Sequence, residues 1–600
     1  MPSRLPTRSQ LPVERTWDEG SVFAGAEDWD RACAEVLDEA ERLGERRSML
    51  QQGAAQVAAF LEEQERVLSL LDKVIIYTTL LSAVDAGDQA AAARRDRAGG
   101  VAARVRAALS FAQPELLGIG VGTLREWAGT EPRLRRFEHW IDRLARRAAH
   151  VRSAEVEELL GLAADPLRTA RTVHGVLADA EIHFAAAWDS SGTEHPVVQS
   201  TYSDLLQSPD RDLRRSAFES YTDGYLALQR TIAACVAGGV KGDVFGARAR
   251  GYGSSLEASL TENDIPTRVF HNVIHSFLQH LPTWHRYWRL RRRALGVDRL
   301  RQYDQRAVLA PPVKVPFEQA VEWICEGVRP LGEDYVEILR RGALEERWID
   351  VYPNQGKRLG AFSTGAQGTH PFILISYADN VASLSTLAHE LGHSMHTYLT
   401  SRAQPYVYSE YGIFIAEVAS NMHQALVRAD LLGRTDDENL QIALLEEAMG
   451  NFHRYLLVMP TLARLELEIH ERVERGEPLT AAGLRDLTAG YLSDAYGEEL
   501  EGDPERGAML WAQFHTHLYS NFYVYQYTTG IAGAQVLARQ VLEEGEPAAE
   551  RYRSFLSAGS SRYPLDLLRD AGVDLEQREP VDTAFDALAD VVGRLEALLD

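Results

Sequence analysis

The chain has 600 residues, 45% apolar and 25% charged, a balance that excludes wholesale disorder and a small disulfide-stapled module. Acidic residues outnumber basic ones 87 to 63, a formal charge of −24, and such a surface repels phosphate backbones and anionic lipid. Neither a nucleic acid nor a membrane is therefore expected as a partner, and the oligomeric state is left open. Three cysteines, Cys33, Cys235 and Cys325, lie far apart without a CxxC pair, which fits a reducing compartment and excludes a cysteine zinc ribbon. The opening MPSRLPTRSQLPVERTW lacks an apolar core of signal-peptide length, and no run of about 18 apolar residues appears, so a soluble cytoplasmic protein is expected.

At roughly 100–200 residues per domain, the length predicts two to four domains. From Asp28 to Leu117 apolar positions recur at three- and four-residue steps, as at Ala32, Val36, Ala40 and Leu43, which predicts helices. A second helical block after Pro132 sets Phe137, Trp140, Ile141 and Leu144 on one face. Ile182–Trp188, the turn DSSG and Val197–Val198 read as a hairpin. Helical spacing returns over 210–241, and Asp264 before Pro266 reads as a helix cap. The arginines Arg291–Arg293 read as a solvated helix face. Near Trp348 the texture changes to WIDVYPNQGKRLGAFSTGAQGTHPFILISY, which predicts two or three short strands. From Asn380 onward the pattern is again helical. The fold class expected is mainly α with a small β-sheet, divided into residues 1–115, 116–195 (ending in the hairpin) and 196–600.

The segment ADNVASLSTLAHELGHSMHTYLTS carries the chemistry. Asp379 or Asn380 can cap a helix whose apolar stripe is Leu384, Leu387, Leu391 and Met395. His389, Glu390 and His393 form HExxH on that helix, off the apolar stripe. Two His four apart lie one turn up and roughly 40° around the axis, so both imidazoles can reach one cation. Glu390 sits beside them as a base for a metal-activated water, the arrangement that zinc-assisted hydrolysis needs. With 18 His in 600 residues, a chance HExxH with helical placement is rare.

A catalytic zinc site takes a third protein ligand and keeps one position open. The metzincin pattern would place Gly at 396 and His at 399, but the chain has His396 and Leu399. The following helical segment YGIFIAEVASNMHQAL offers Glu417 beside its buried stripe of Phe414, Val418, Met422 and Leu426. An unpartnered carboxylate there would be costly, so a nearby cation is the natural partner, with a salt bridge as the bland alternative. His370 and His423 read as structural.

These motifs resemble the M3 metallopeptidases, in particular the oligoendopeptidase F branch. The resemblance lies in HELGHSMH followed by PYVYSEYGIFIAEVASN, and extends to TYSDLLQSPDRDLRRSAFESY, ARARGYGSSLEASL, IDVYPNQGKRLGAFS and NFYVYQYTTG, covering roughly residues 200–530. It implies Glu417 as third ligand of one Zn2+ per chain, and an M3-like catalytic domain over 196–600. It implies two helical lobes around a deep channel, and short unfolded peptides as substrates. Gly360, Ala361, Phe362 and Ser363 would align an extended peptide as an added strand, a role their Gly-rich strand character also allows.

Amide hydrolysis passes through an oxyanion that phenol or imidazole donors stabilise. Matching HLYSNFYVYQY to the family implies His517 as the imidazole and Tyr527 as the phenol, with Tyr525 next; Ser520 stands where the branch has a tyrosine, and Tyr519 is a substitute. Periodicity leaves open whether Tyr519, Tyr523 and Tyr527 form a helical stripe or Tyr523, Tyr525 and Tyr527 line an extended loop. The function expected is a zinc endopeptidase acting on short oligopeptides with Glu390 as general base. The alternatives are a helical zinc carboxypeptidase and an inactive peptide-binding relative.

Overall fold

A computed structural model describes residues 5–599. Helices dominate, and the strands are short. The chain groups into two compact units, each assembled from three separate stretches.

The first unit comprises Met1–Ala149, Lys314–Gly433 and Leu537–Val573. Its first layer is three mutually packed helices, Ala26–Gly44, Ala54–Val84 and Gln89–Leu109. Trp29, Cys33, Val36 and Ala40 recur at helical spacing and are buried against Val57, Phe60 and Leu71 of the second helix. The indole N–H of Trp29 donates to the Val74 carbonyl at 3.1 Å, so burying this large ring leaves its polar atom satisfied. Asp88 caps the third helix by accepting from the N–H groups of Ala90 and Ala91. The Ala54–Val84 helix is long and apolar enough to cross a membrane by composition, but its apolar positions are packed into this core.

The small sheet expected near Trp348 has three strands in the order Ile349–Asp350, Phe372–Leu374, Phe362–Thr364. The first pair is parallel, the second antiparallel, with Ser363 opposite Ile373. Phe362–Thr364 is therefore an edge strand. Phe372 and Leu374 pack on Trp17, Leu80 and Val84, which fixes the sheet to the long helix. The buried carboxylate of Asp350 is neutralised by Lys357 at 2.7 Å and by Arg8.

The second unit comprises His150–Val313, Arg434–Val536 and Asp574–Asp600. Its spine is the 40-residue helix Arg211–Arg250, capped by Asp210 and closed by Gly251 in the left-handed region (φ 77°). The helices Ala154–Val176 and Met459–Glu474 pack on this spine.

The structure departs from three local expectations. The hairpin is present but narrower, pairing only Ala187–Trp188 with Glu194–His195. Its predicted apolar start is instead docked by aromatic contact, Phe184 stacking on Tyr221 at 4.7 Å. Asp264 is not a helix cap: it turns the chain at φ 53°, and the helix starts at Thr267 behind Pro266. Arg291 is not solvated but buried, bonded to Glu446 at 2.9 Å and Tyr287 at 3.0 Å and donating to the Asp304 and Ala307 carbonyls. The polar run RRR hid one inward position that carries its own satisfied acceptors. The three cysteines are buried and unpaired.

Candidate metal centre and active site

Two helices of the first unit build the centre. Val381–Ala403 carries HExxH and is capped by Asn380, whose side chain accepts from Ser383 N–H at 2.8 Å. Ile413–Arg434 carries Glu417. The helices cross closely because residue 392 is glycine: a Cβ there would lie 2.5 Å from the Ala419 carbonyl oxygen and 2.7 Å from Ser420 Cα. The glycine of HELGH thus permits the approach that brings Glu417 to the two histidines.

His389, His393 and Glu417 each offer one ligand atom, and these atoms lie within 4.8 Å of one another. Among the described residues this is the one group of three or more such side chains. His389 Nε2 stands 3.5 Å from Glu417 Oε2. Ligands bound at about 2.0–2.2 Å to a tetrahedral ion are separated by roughly that amount, so the donor set fits zinc. Burial, then the charge of His389, bring His393 down to about 4, which keeps it as the neutral imidazole that a metal takes.

Glu390 is 6% exposed, and its Oε2 has no hydrogen-bond partner. A buried carboxylate atom left in that state is costly unless the site supplies a cation, water or substrate. Burial pushes its pKa up to about 7; the charge of His389 and the Ser363 N–H oppose that rise, and Glu417 adds to it. Ser363 belongs to the edge strand, and its hydroxyl meets Ser394 of the HExxH helix at 2.8 Å. Gly360 has φ 87°, a conformation that favours glycine, and Ala361 and Phe362 continue half-buried into the strand.

Several supporting residues were not found from the sequence. Gln424 Oε1 faces His389 Nδ1 at 3.0 Å, while its amide N donates to Ser385 Oγ at 2.7 Å. Ser420 Oγ donates to Glu417 Oε2 at 3.1 Å. Both follow Glu417 at helical intervals of three and seven, so its own helix face could have found them. His396 is buried and stacks on Tyr411 at 3.5 Å, and the Tyr411 hydroxyl donates to the His393 carbonyl at 3.3 Å. His423 and His370 are structural, held by Tyr335 Oη at 2.7 Å and by Ser21 and the Pro371 carbonyl.

The tyrosine-rich segment lies in the second unit and follows neither simple pattern. Residues up to Val524 form turns, and Tyr525 opens the helix Tyr525–Glu544. Tyr523 Oη donates to Tyr527 Oη at 2.9 Å, which reaches His517 Nε2 at 3.4 Å, so His517, Tyr523 and Tyr527 form one cluster. Burial, with Arg454 and His515, lowers His517 to about 4. Tyr525 is instead buried against Phe270. Tyr519 is tied to His174 at 3.2 Å, with its ring against Gly239, where a Cβ would lie 2.6 Å away.

This architecture agrees with what known proteins show. The profile for Peptidase family M3 matches residues 204–587, and that for Oligopeptidase F matches residues 115–184. The chain belongs to peptidase family M3. This M3 chain is 35% identical to Oligopeptidase PepF of Bacillus subtilis (strain 168), over 100% of its own length and 89% of the relative's. It is 30% identical to the plasmid oligoendopeptidase F of Lactococcus lactis subsp. cremoris, over 99% and 98%. The crystal structure of oligoendopeptidase-F from Enterococcus faecium is similar with a TM-score of 0.75 at 29% identity, over 96% of this chain and 99% of that one. This M3 protein is a metallo-endopeptidase.

Proposed function

We propose that this M3 peptidase is a zinc-dependent oligoendopeptidase of short unfolded peptides, with His389, His393 and Glu417 holding the ion. The observation that carries the reading is the joint placement of those ligand atoms within 4.8 Å beside the buried, half-satisfied Glu390. Zinc bound there supplies Lewis acidity, polarising the scissile carbonyl and lowering the pKa of a water to about 7.

Glu390 accepts the proton of the attacking water and returns it to the leaving amine. Its pKa near 7 suits a group that must do both close to neutrality. Gln424 orients His389 through its Nδ1, and Ser420 orients the Glu417 carboxylate by donating to Oε2. The strand Phe362–Thr364 lies at the edge of its sheet, paired on one side only, which supports Gly360, Ala361, Phe362 and Ser363 as the segment that aligns an extended peptide. The hydrogen-bonded cluster supports His517 and Tyr527 as oxyanion donors; burial of Tyr525 among aromatic rings argues against the alternative. Buried, unpaired cysteines support a reducing, cytoplasmic setting.

The test is Glu390→Gln, assayed on a mixed peptide library with and without chelator. The variant should keep its metal and lose about 10²–10⁴ in kcat. Near-normal turnover would remove Glu390 from the chemistry, and cleavage confined to C-terminal residues would favour a carboxypeptidase.

A further inference from the structure

A π-turn lies beside the His517 cluster. His453–Val458 forms a π-turn between the helices Glu438–Phe452 and Met459–Glu474. Such turns are rare and recur at functional sites. This one is tied down: Thr528 Oγ1 donates to the Tyr455 carbonyl at 2.7 Å, and the Tyr455 ring stacks on Tyr527 at 5.3 Å and 7°. The turn directs Arg454 outward, with its guanidinium 5.9 Å from the Tyr455 ring and 6.0 Å from the Tyr527 ring. Arg454 is exposed.

A second arginine stands close by. Arg306 donates to the neutral Ser203 Oγ at 2.7 Å. The surrounding protein, then the positive charge of Arg454, hold it below the usual guanidinium range against the pull of Tyr202, while the residue keeps an exposed surface. Among the described residues neither Arg306 nor Arg454 has a carboxylate partner. The arginines nearby are paired: Arg291 with Glu446, Arg464 with Asp494, and Arg472 with Glu468. Two guanidinium groups that repel each other, one of them set about 6 Å from two aromatic rings, favour the approach of an anion.

We propose that Arg454, backed by Arg306, binds a carboxylate of the peptide substrate, supplied by its C-terminus or by an acidic side chain. Guanidinium suits this task because its planar fork meets both carboxylate oxygens and does not lose its charge. The proposal rests on the reading of Tyr527 and His517 as donors to the reacting carbonyl. With Arg454 held this near Tyr527, and an extended peptide rising about 3.3 Å per residue, the carboxylate falls within about four residues of the cleaved bond. Recognition of a chain end at such a reach gives a physical reason for short substrates, since a long chain seldom offers its terminus there.

The test uses the metal-loaded full chain and N-acetylated peptides in three forms: free acid, C-terminal amide, and amide with one Glu exchanged for Gln. Wild type should show a KM about tenfold lower for each carboxylate that engages the site than for its neutral counterpart, at similar kcat. Arg454→Gln should raise KM about tenfold for the preferred carboxylate peptide, leave the fully neutral peptide unchanged, and be partly rescued by Arg454→Lys. The arm that responds, terminus or side chain, names the source. Equal KM for all three peptides in wild type, or an equal loss on the neutral peptide in Arg454→Gln, overturns the proposal. A selective KM effect at Arg454 alongside normal kcat in Tyr527→Phe would keep the carboxylate site and reject the donor reading.

Discussion

His389 and Gln424 are joined by a 3.0 Å hydrogen bond between the imidazole Nδ1 and the amide oxygen. Because the Gln424 amide N is committed to Ser385 Oγ, its oxygen is the atom turned to the ring, and the Nδ1 proton is held there. The Nε2 lone pair is left for the ion on the side of Glu417. Replacing Gln424 by Leu should weaken zinc binding by about 10–100-fold with the helices intact. Competition with a chelator of known affinity measures this, and an unchanged affinity would show that the ring needs no such support.

Gly392→Ala tests the helix crossing. The added Cβ meets main-chain atoms of Ala419 and Ser420, which cannot rotate away as a side chain end would. Overpacking of this kind costs about 1–3 kcal/mol and should spread the Glu417 helix from the two histidines. Thermal unfolding should fall by several degrees and metal content should drop. A variant with wild-type stability and full metal occupancy would mean that the helices can part without harm.

The two tyrosine candidates should separate cleanly. Tyr527→Phe removes the hydroxyl that links Tyr523 to His517, and kcat should fall by about 10²–10³ with little change in KM. Tyr525→Phe keeps the ring that packs on Phe270, so kcat should stay near wild type. The reverse order would move the donor role to Tyr525.

Glu466 gives a pH signature in stability. It is fully buried, and its Oε1 accepts from the Phe522 N–H at 2.7 Å, one residue before Tyr523. Burial pushes its pKa up to about 8, opposed by the charge of His470 and the Phe522 N–H and helped by Asp243. The folded state therefore holds this proton more tightly than the unfolded chain, whose ordinary value is 4.5. Its contribution to stability is complete below about pH 4.5 and is lost as pH rises through about 8. Glu466→Gln removes the titration. Between those limits wild type should lose on the order of 5 kcal/mol relative to the variant, read from urea unfolding across pH. A constant difference between the two proteins would show that Glu466 does not titrate in this range.

Much of the centre was legible because helix geometry is local. HExxH follows from spacing along one helix, and so does a cap at Asp379 or Asn380, of which the structure uses Asn380; Glu417 follows from its place beside a buried stripe. The strands near Trp348 were equally readable, since Phe372–Leu374 is short, apolar and bounded by breakers. What could not be read depended on partners distant in sequence. Arg291 looks like its neighbours until Glu446 and two carbonyls are placed around it. Tyr519, Tyr523, Tyr525 and Tyr527 share one composition, and only the turn before Tyr525 sends two of them into a hydrogen-bonded cluster and one into apolar packing. Arg454 was unreadable because a π-turn breaks the period on which helical reading relies.

The interleaved build of the first unit has a consequence during synthesis. Thr400 of the HExxH helix donates to the Leu556 carbonyl, and His396 packs on Phe555, so the helix that carries two ligands leans on a stretch near the end of the chain. A ribosome adding roughly 5–20 residues per second needs about ten seconds or longer to make the intervening polypeptide. The helix that carries two of the ligands therefore gains this support only once Phe555 and Leu556 have been made.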